Sequence, residues 1–238
     1  MNIEEFKKIM ISYAEKINIK FTEEQLEEFY QYMNMLLEWN EKINLTAIVE
    51  PKEVILKHFI DTINKYLKEN ATLADVGTGA GFPGIPLKIL RPDIKVTLVD
   101  SLNKRINFLN EVIEKLNLED IVTVHSRIED FGKNKSYREK FDYVTARAVA
   151  NLAVLSEYLI PIAKIGGKCV CMKGSNVEEE ITSGKNAINV LGGKIEKVDE
   201  FVLPDSDISR NVIVLSKVKN TPVRFPRKAG MPSKEPLK

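Results

Sequence analysis

The sequence predicts an α/β fold: a mostly parallel sheet with helices on both faces, a helical appendage before it and an antiparallel hairpin at its end. Three observations carry that prediction. From residue 72 onward, short apolar runs alternate with helical stretches, the pattern of strand–helix–strand crossovers. Residues 1–70 read as helix alone. Near the other end, "KIEKVDEFVL" (194–203) and "RNVIVLSKV" (210–218) have no helix between them, so they pair as a hairpin at a sheet edge.

Helices are expected over 3–17 and 22–39. In the second, Leu26, Phe29, Tyr30, Met33, Leu36 and Leu37 recur at three- and four-residue spacing, and Thr22 with Gln25 forms a capping box. A further helix is expected after Pro51, over "KEVILKHFIDTINKYL" (52–67). "TLADV" (72–76) is the first strand, and a helix runs from about Pro86 to Leu90. "KVTLVD" (95–100) is the second strand, and "KRINFLNEVIEKLN" (104–117) is a helix with Ile106, Leu109, Val112, Ile113 and Leu116 on one face. Then come strand "IVTVH" (121–125), a loop, strand "FDYVTA" (141–146), helix "LAVLSEYLIPIA" (152–163), strand "KCVCMK" (168–173) and a helix over 177–190. The expected domains are an appendage over 1–70, a sheet domain over 71–218, and an arm over 219–238.

A hydrophobic content of 44% and a charged content of 29% are ordinary for a soluble globular protein, and no stretch reaches the 18 or so apolar residues of a membrane span. The acidic, amphipathic start "MNIEEFKKIM" is unlike a secretory signal. Cys169 and Cys171 are neighbours along one strand, so no disulfide is expected and a reducing cytoplasm fits. Charge is uneven under a net +1: residues 1–70 hold 13 acidic and 9 basic side chains. Residues 217–238 hold Lys217, Lys219, Arg224, Arg227, Lys228, Lys234 and Lys238 against Glu235 alone, with four of the ten prolines. That composition suits either an arm laid on polyanion or a segment packed on the protein, with Val223 and Phe225 available for packing.

"LADVGTGAGFPGIP" (73–86) carries the chemistry, and it can be read in two registers. From Gly79 it spells G-x-G-x-x-G, and Asp100, 21 residues on, sits where a dinucleotide site places its ribose-binding acid. From Asp75 it spells D-x-G-x-G-x-G, beginning at Gly77, the first glycine after the strand. Only the second register employs both acids. Asp75 attracts the ammonium of a methionine-like moiety, directly or through water, and Asp100 accepts the ribose hydroxyls. S-adenosylmethionine has that cationic end and no pyrophosphate. Five parallel strands plus a terminal hairpin is, besides, the Rossmann-like sheet of class I S-adenosylmethionine methyltransferases.

"DVGTGAGFPGIPL", "VDSLNKRINFL", "SRIEDF", "ARAVANL", "NEKINLTAI" and "FPRKAGMPSKEPL" together resemble the RsmG (GidB) family from about residue 38 onward. Its members methylate N7 of guanine 527 in 16S rRNA of the small ribosomal subunit. The resemblance implies S-adenosyl-L-methionine as cofactor and 16S rRNA, within the 30S subunit or a precursor, as partner. It also implies that Gly77 and Phe82 line the cofactor loop, where Gly79 is a further candidate contact, that Ile128 and Glu129 meet the adenine, and that Arg147 closes the site. "HSRIED", after the third strand, offers a backbone N–H and a carboxylate for an adenine edge.

Guanine N7 has a free lone pair, so the expected catalysis is orientation, with no general acid or base and positioning by Arg147. "ARA" stands where amino-methylating relatives place an Asn/Asp-Pro-Pro motif, and the two cysteines read as buried thiols. Lys104, Arg105, Arg127, Arg147 and Lys173 fall at or just past carboxyl ends of expected strands, where ligands bind in open α/β sheets, so they are candidate RNA contacts. His58 reads as a packed or capping residue, and no metal is expected. The competing functions are an NAD-dependent oxidoreductase using the Gly79 register and a non-catalytic RNA-binding ribosome-assembly factor.

Overall fold

In a computed structural model, residues 1–62, 66–147, 149–175 and 177–237 are described. The end of the helix expected after Pro51 (63–65), one residue of "ARAVANL" (148) and Lys238 of the basic segment lie outside them. Seven strands form one sheet: β1 (Thr72–Val76), β2 (Lys95–Asp100), β3 (Ile121–His125), β4 (Phe141–Arg147), β5 (Ala163–Lys173), β6 (Gly193–Val202) and β7 (Ser209–Lys217). Their order is β3-β2-β1-β4-β5-β7-β6, parallel from β3 to β5 and antiparallel through the β6–β7 hairpin, as expected. Strand order reverses between β1 and β4, and the carboxyl ends of strands at such a reversal frame a ligand crevice.

Helix α1 (Ile3–Lys16) starts where the Asn2 side chain accepts from the Glu5 amide. Helix α2 (Glu23–Ile43) starts in the reciprocal Thr22–Gln25 box and ends at left-handed Asn44. The helix expected over 52–67 is broken. An α-turn, α3 (Pro51–Val54), gives way to a π-turn over Ile55–Phe59 and a 3-10 turn over Ile60–Thr62. Side chains intrude on its ladder. The Thr62 hydroxyl donates to the carbonyls of His58 and Phe59, and Arg147 Nη1 donates to the Lys57 carbonyl at 2.8 Å. A widened turn of this kind often marks a functional site.

The other helices are α4 (Gly84–Leu90), α5 (Asn103–Lys115), α6 (Ile128–Lys133), α7 (Leu152–Leu159), α8 (Glu178–Leu191) and α9 (Met231–Lys234). Two of these were not expected: α6, too short to show a periodicity, and α9. Helix α7 stops at Leu159, two residues before Pro161, which cannot extend the ladder.

The two faces of the sheet carry separate cores. Residues of α1, α2, α4 and α5 cluster with Leu73, Val96 and Leu98, so the N-terminal helices, expected as an appendage, share a hydrophobic core with the sheet. An aromatic chain runs from them to the glycine loop: Phe29 lies 5.0 Å from Phe59, Tyr32 stacks on Phe59 at 5.5 Å, and Tyr32 lies 5.5 Å from Phe82. The buried Tyr32 hydroxyl donates to the Ala80 carbonyl and pins the loop. Residues of α7 and α8 cluster with Ala74, Val76, Val144 and Leu215 on the other face, where Cys169 and Cys171 are buried free thiols.

Of the two alternatives for 219–238, packing on the protein describes the segment as far as Leu237, although Val223, expected to serve that packing, is exposed. Phe225 is buried, and Pro226 packs where a Gly132 side chain would stand. Arg138 donates to the carbonyls of Thr221 at 2.8 Å and Phe225 at 2.6 Å. Arg227 holds the buried Glu157 carboxylate through its backbone amide, Nε and Nη2. Lys217 is buried, donating to the Ile160 carbonyl and Thr221 Oγ1, both at 2.7 Å, and pairing with Glu139 at 3.0 Å. Two of its cations, Lys217 and Arg227, are thus consumed in fastening the segment, while Lys219, Arg224, Lys228 and Lys234 are exposed.

Candidate active site

A cavity of about 600 Å³ opens at the carboxyl ends of β1, β2 and β4. Of the expected cofactor residues, Gly77, Gly79, Phe82, Asp100, Ile128, Glu129 and Arg147 line it, and so do Arg105 and Arg127 from the expected RNA set. Asp75 stands behind the loop instead. Fully buried, it accepts through Oδ2 from the Thr78 hydroxyl at 2.6 Å and the Gly84 amide at 2.8 Å, while Oδ1 has no hydrogen-bond partner. Burial pushes its carboxyl up to about 6 against these two bonds. Gly84 has to be a glycine because a Cβ there would fall 2.9 Å from that carboxylate and 2.3 Å from Leu98.

This geometry decides between the two registers. In the dinucleotide register, Gly84 is the third glycine, and the N-terminal amides of the following helix bind pyrophosphate. Here Asp75 already takes that amide, and Asp100 Oδ2 takes the Gly79 amide at 2.9 Å. The loop amides are neutralised by two carboxylates, which repel a pyrophosphate and attract a cation. The fit to a cationic nucleoside cofactor rests on that pair, on the orphaned Asp75 Oδ1, and on Gly79, where φ is +62° and a Cβ would meet nothing within 4 Å.

Asp100 also accepts from the Leu102 amide at 2.9 Å and pairs with Arg105 at 3.2 Å. Glu129 accepts the Gly230 amide through Oε1 at 2.8 Å, so the C-terminal segment contributes Ala229 and Gly230 to the cavity wall, beside Tyr158. Arg147 leaves the end of β4 into a nearly closed setting. It donates to Lys57 O and to His58 Nδ1 at 2.7 Å, lies 3.7 Å from Asp61, and sits 5.1 Å from the Phe82 ring centre. His58 stacks on Phe82 at 4.4 Å, and its Nε2 lies 2.8 Å from Thr46 Oγ1. Since Nδ1 accepts from a guanidinium, Nε2 carries the proton and donates to Thr46. Burial first, and then the Arg147 charge, push His58 down to about 3, so it is neutral at ordinary pH.

The cationic rim divides. Lys104 is exposed on the first turn of α5 and does not line the cavity. Lys173 is turned inward, donating to the Ala150 carbonyl at 2.7 Å and pairing with Glu180 at 2.6 Å, which corrects the expectation of a cation open to RNA. The sequence reading missed His58, Thr46, Tyr158, Ala229 and Gly230 as cavity residues. Thr46 and the last two lie inside quoted motifs, "NEKINLTAI" and "FPRKAGMPSKEPL", but nothing local to them says which cavity they reach. Among the described residues, no group of three or more His, Cys, Asp or Glu side chains could hold a metal ion, and no helix is long and apolar enough to cross a membrane.

Fold and site define a class I methyltransferase. Solved structures with this fold include a variant of the 16S rRNA (adenine(1408)-N(1))-methyltransferase from Catenulisporales acidiphilia, with TM-score 0.52 and 18% identity over 64% of this chain and 87% of that one. A transferase from Pyrococcus horikoshii matches at TM-score 0.53 and 15% identity, over 85% of this chain and 66% of that one. Residues 25–212 match the family model described as rRNA small subunit methyltransferase G, and the chain belongs to that family. Ribosomal RNA small subunit methyltransferase G of Alkaliphilus metalliredigens is 50% identical over 98% of this chain and 100% of its own length. The protein of that name from Acetivibrio thermocellus is 54% identical over 97% of this chain and 96% of its own.

Proposed function

We propose that this enzyme uses S-adenosyl-L-methionine to methylate N7 of guanine 527 in 16S rRNA, acting in the cytoplasm on the small ribosomal subunit or a precursor of it. One observation carries the cofactor assignment: two carboxylates, Asp75 and Asp100, occupy the loop amides that a phosphate-bearing cofactor would need. When bound, S-adenosylmethionine supplies an electrophilic methyl group on a sulfonium. Asp100 accepts the ribose hydroxyls. A carboxylate has about four acceptor directions. Three are in use here, and the longest contact, from Arg105, comes from a side chain one-third exposed and able to leave. Glu129 holds Gly230 through one oxygen and offers the other to the adenine amino group. Phe82, with the hydrogen-bonded His58 and Arg147 against its ring, forms a wall that excludes water from the transfer path.

No base is required, because the N7 lone pair attacks directly. His58 is unavailable as one, with both ring nitrogens engaged by Thr46 and Arg147. The enzyme's work is alignment. The test is to incubate small subunits carrying unmodified 16S rRNA with the protein and methyl-labelled S-adenosylmethionine, then map N7-methylguanine by reductive strand cleavage. One cleavage, at guanine 527, is expected. Label at another nucleotide, or none, overturns the reading.

A further inference from the structure

A second cavity of about 380 Å³ lies against the first, and the two share His58 and Arg147 as lining residues. Lys173 and Gly174, at and just past the carboxyl end of β5, line it, together with Asp61, Arg210 and Glu180. Ile48 and Met172 add apolar surface for the faces of a ring. We infer that this cavity receives the target guanine, unstacked from its RNA, and that Glu180 reads the base's Watson–Crick edge. The inference rests on the guanine-N7 reading above.

The requirements of the reaction select the residue. N7 must face the methyl group, so it cannot be engaged by the arginine fork that usually recognises guanine through O6 and N7. Recognition falls to the edge across the ring, where N1–H and the N2 amino group are adjacent donors and call for a carboxylate. The cavity holds two carboxylates, and they differ. Asp61 is buried and its charge is already paired with two guanidinium groups, both oxygens lying 3.0 Å from Arg210 Nε and one 3.7 Å from Arg147. Glu180 is one-third exposed. Its Oε2 takes Lys173 at 2.6 Å and the Leu152 amide at 2.9 Å, while Oε1 has no partner among the described residues. Glu180 lines the second cavity and is absent from the lining of the first, which puts it on the side away from the cofactor. Lys173, an expected RNA contact, serves here as the positioning residue that orients Glu180.

The test crosses enzyme and substrate variants. Small subunits are assembled from 16S rRNA ligated to carry guanine or inosine at 527, inosine lacking only the N2 amino group. Methylation rates are measured for wild type and Glu180→Gln, which keeps an acceptor for the Leu152 amide. Glu180→Gln is expected to lower the rate on guanine roughly 10- to 100-fold and to lower it far less on inosine, since the contact of Oε1 with the N2 amino group is lost once. S-adenosylmethionine affinity by calorimetry should stay at the wild-type value. Gly174→Phe is the second variant. A Cβ at Gly174 would meet nothing within 4 Å, so the ring enters the cavity without displacing the fold. It should abolish methylation and leave cofactor binding intact. Equal loss on both substrates, no loss, or an active Gly174→Phe enzyme overturns the inference. If the wild type fails to methylate N7 of guanine 527 at all, the functional reading fails first and the inference falls with it.

Discussion

Two sets of cations at the carboxyl edge of the sheet look alike in the sequence and behave as opposites in the structure. On the β2–β3 side, Lys104 and Arg127 are exposed and Arg105 is half-buried. On the β4–β5 side and in the C-terminal segment, Arg147, Lys173 and Arg227 are paired with Asp61, Glu180 and Glu157, whose carboxylates are buried or one-third exposed. Lys104 and Arg127 stand open to a polyanion and Arg105 is divided between solvent and Asp100, while the second set holds loops and carboxylates in place. For Arg147 and Arg227 the neighbours in sequence do not say which set the cation joins, because Asp61 and Glu157 lie far along the chain.

The largest effect should come from breaking an inward pair. Arg227→Ala leaves Glu157 buried with only the backbone amide, and removing one partner of a buried pair strands a charge. A loss of about 3 kcal/mol in chemical denaturation is expected. An unchanged midpoint would place Arg227 with the open cations.

Next comes Asp100, where the two sets meet the cofactor cavity. Asp100→Asn should weaken S-adenosylmethionine binding roughly 10- to 100-fold in a calorimetric titration, the worth of a charge-assisted hydrogen bond. Full affinity in a folded variant would remove Asp100 from the ribose.

His58 sharpens the comparison through pH. Its value near 3 in the fold, against an ordinary 6.5, means that the unfolded chain binds more protons between those limits. The stabilisation is fully present above 6.5 and is lost as pH falls toward 3. Asp75, raised from 3.8 to about 6, works in the opposite direction, losing its contribution as pH rises through that window. Urea midpoints for wild type and His58→Asn, at neutral pH and near pH 5, separate the two. The decline on acidification should be steeper in wild type, and identical slopes would mean that His58 is not held neutral.

The smallest effect belongs to the open set. Lys104→Ala should alter stability by no more than about 0.5 kcal/mol and flatten the log–log salt dependence of RNA binding by a little under one unit. A large loss of stability would show that Lys104 has an inward partner after all.

What could be read in the sequence was what depends on near neighbours. The capping box at Thr22, the strand patterns and hairpin, and the spacing of Asp75, the glycines and Asp100 are each fixed within a few residues or one crossover. The sequence puts Asp75 at a strand end but does not distinguish a carboxylate behind the loop from one in the cavity, since that depends on Gly84 folding back over it. The break in the helix after Pro51 was invisible because Arg147, 90 residues on, takes the Lys57 carbonyl. For the C-terminal segment the sequence leaves two alternatives open for the same reason, and for Lys173 it does not say which way the side chain turns. Charge and proline content describe a stretch of chain, while Glu180, Glu157 and Arg138 decide what it does.

The seating of Ala229 and Gly230 in the cofactor wall has a consequence in time. Synthesis delivers the glycine loop and Asp100 in the first half of the chain, yet the Glu129–Gly230 contact cannot form until more than a hundred further residues have been made. A chain halted after β7 would lack Ala229 and Gly230 in the cavity wall, so the cavity is finished only when the C-terminal segment has docked on Glu129.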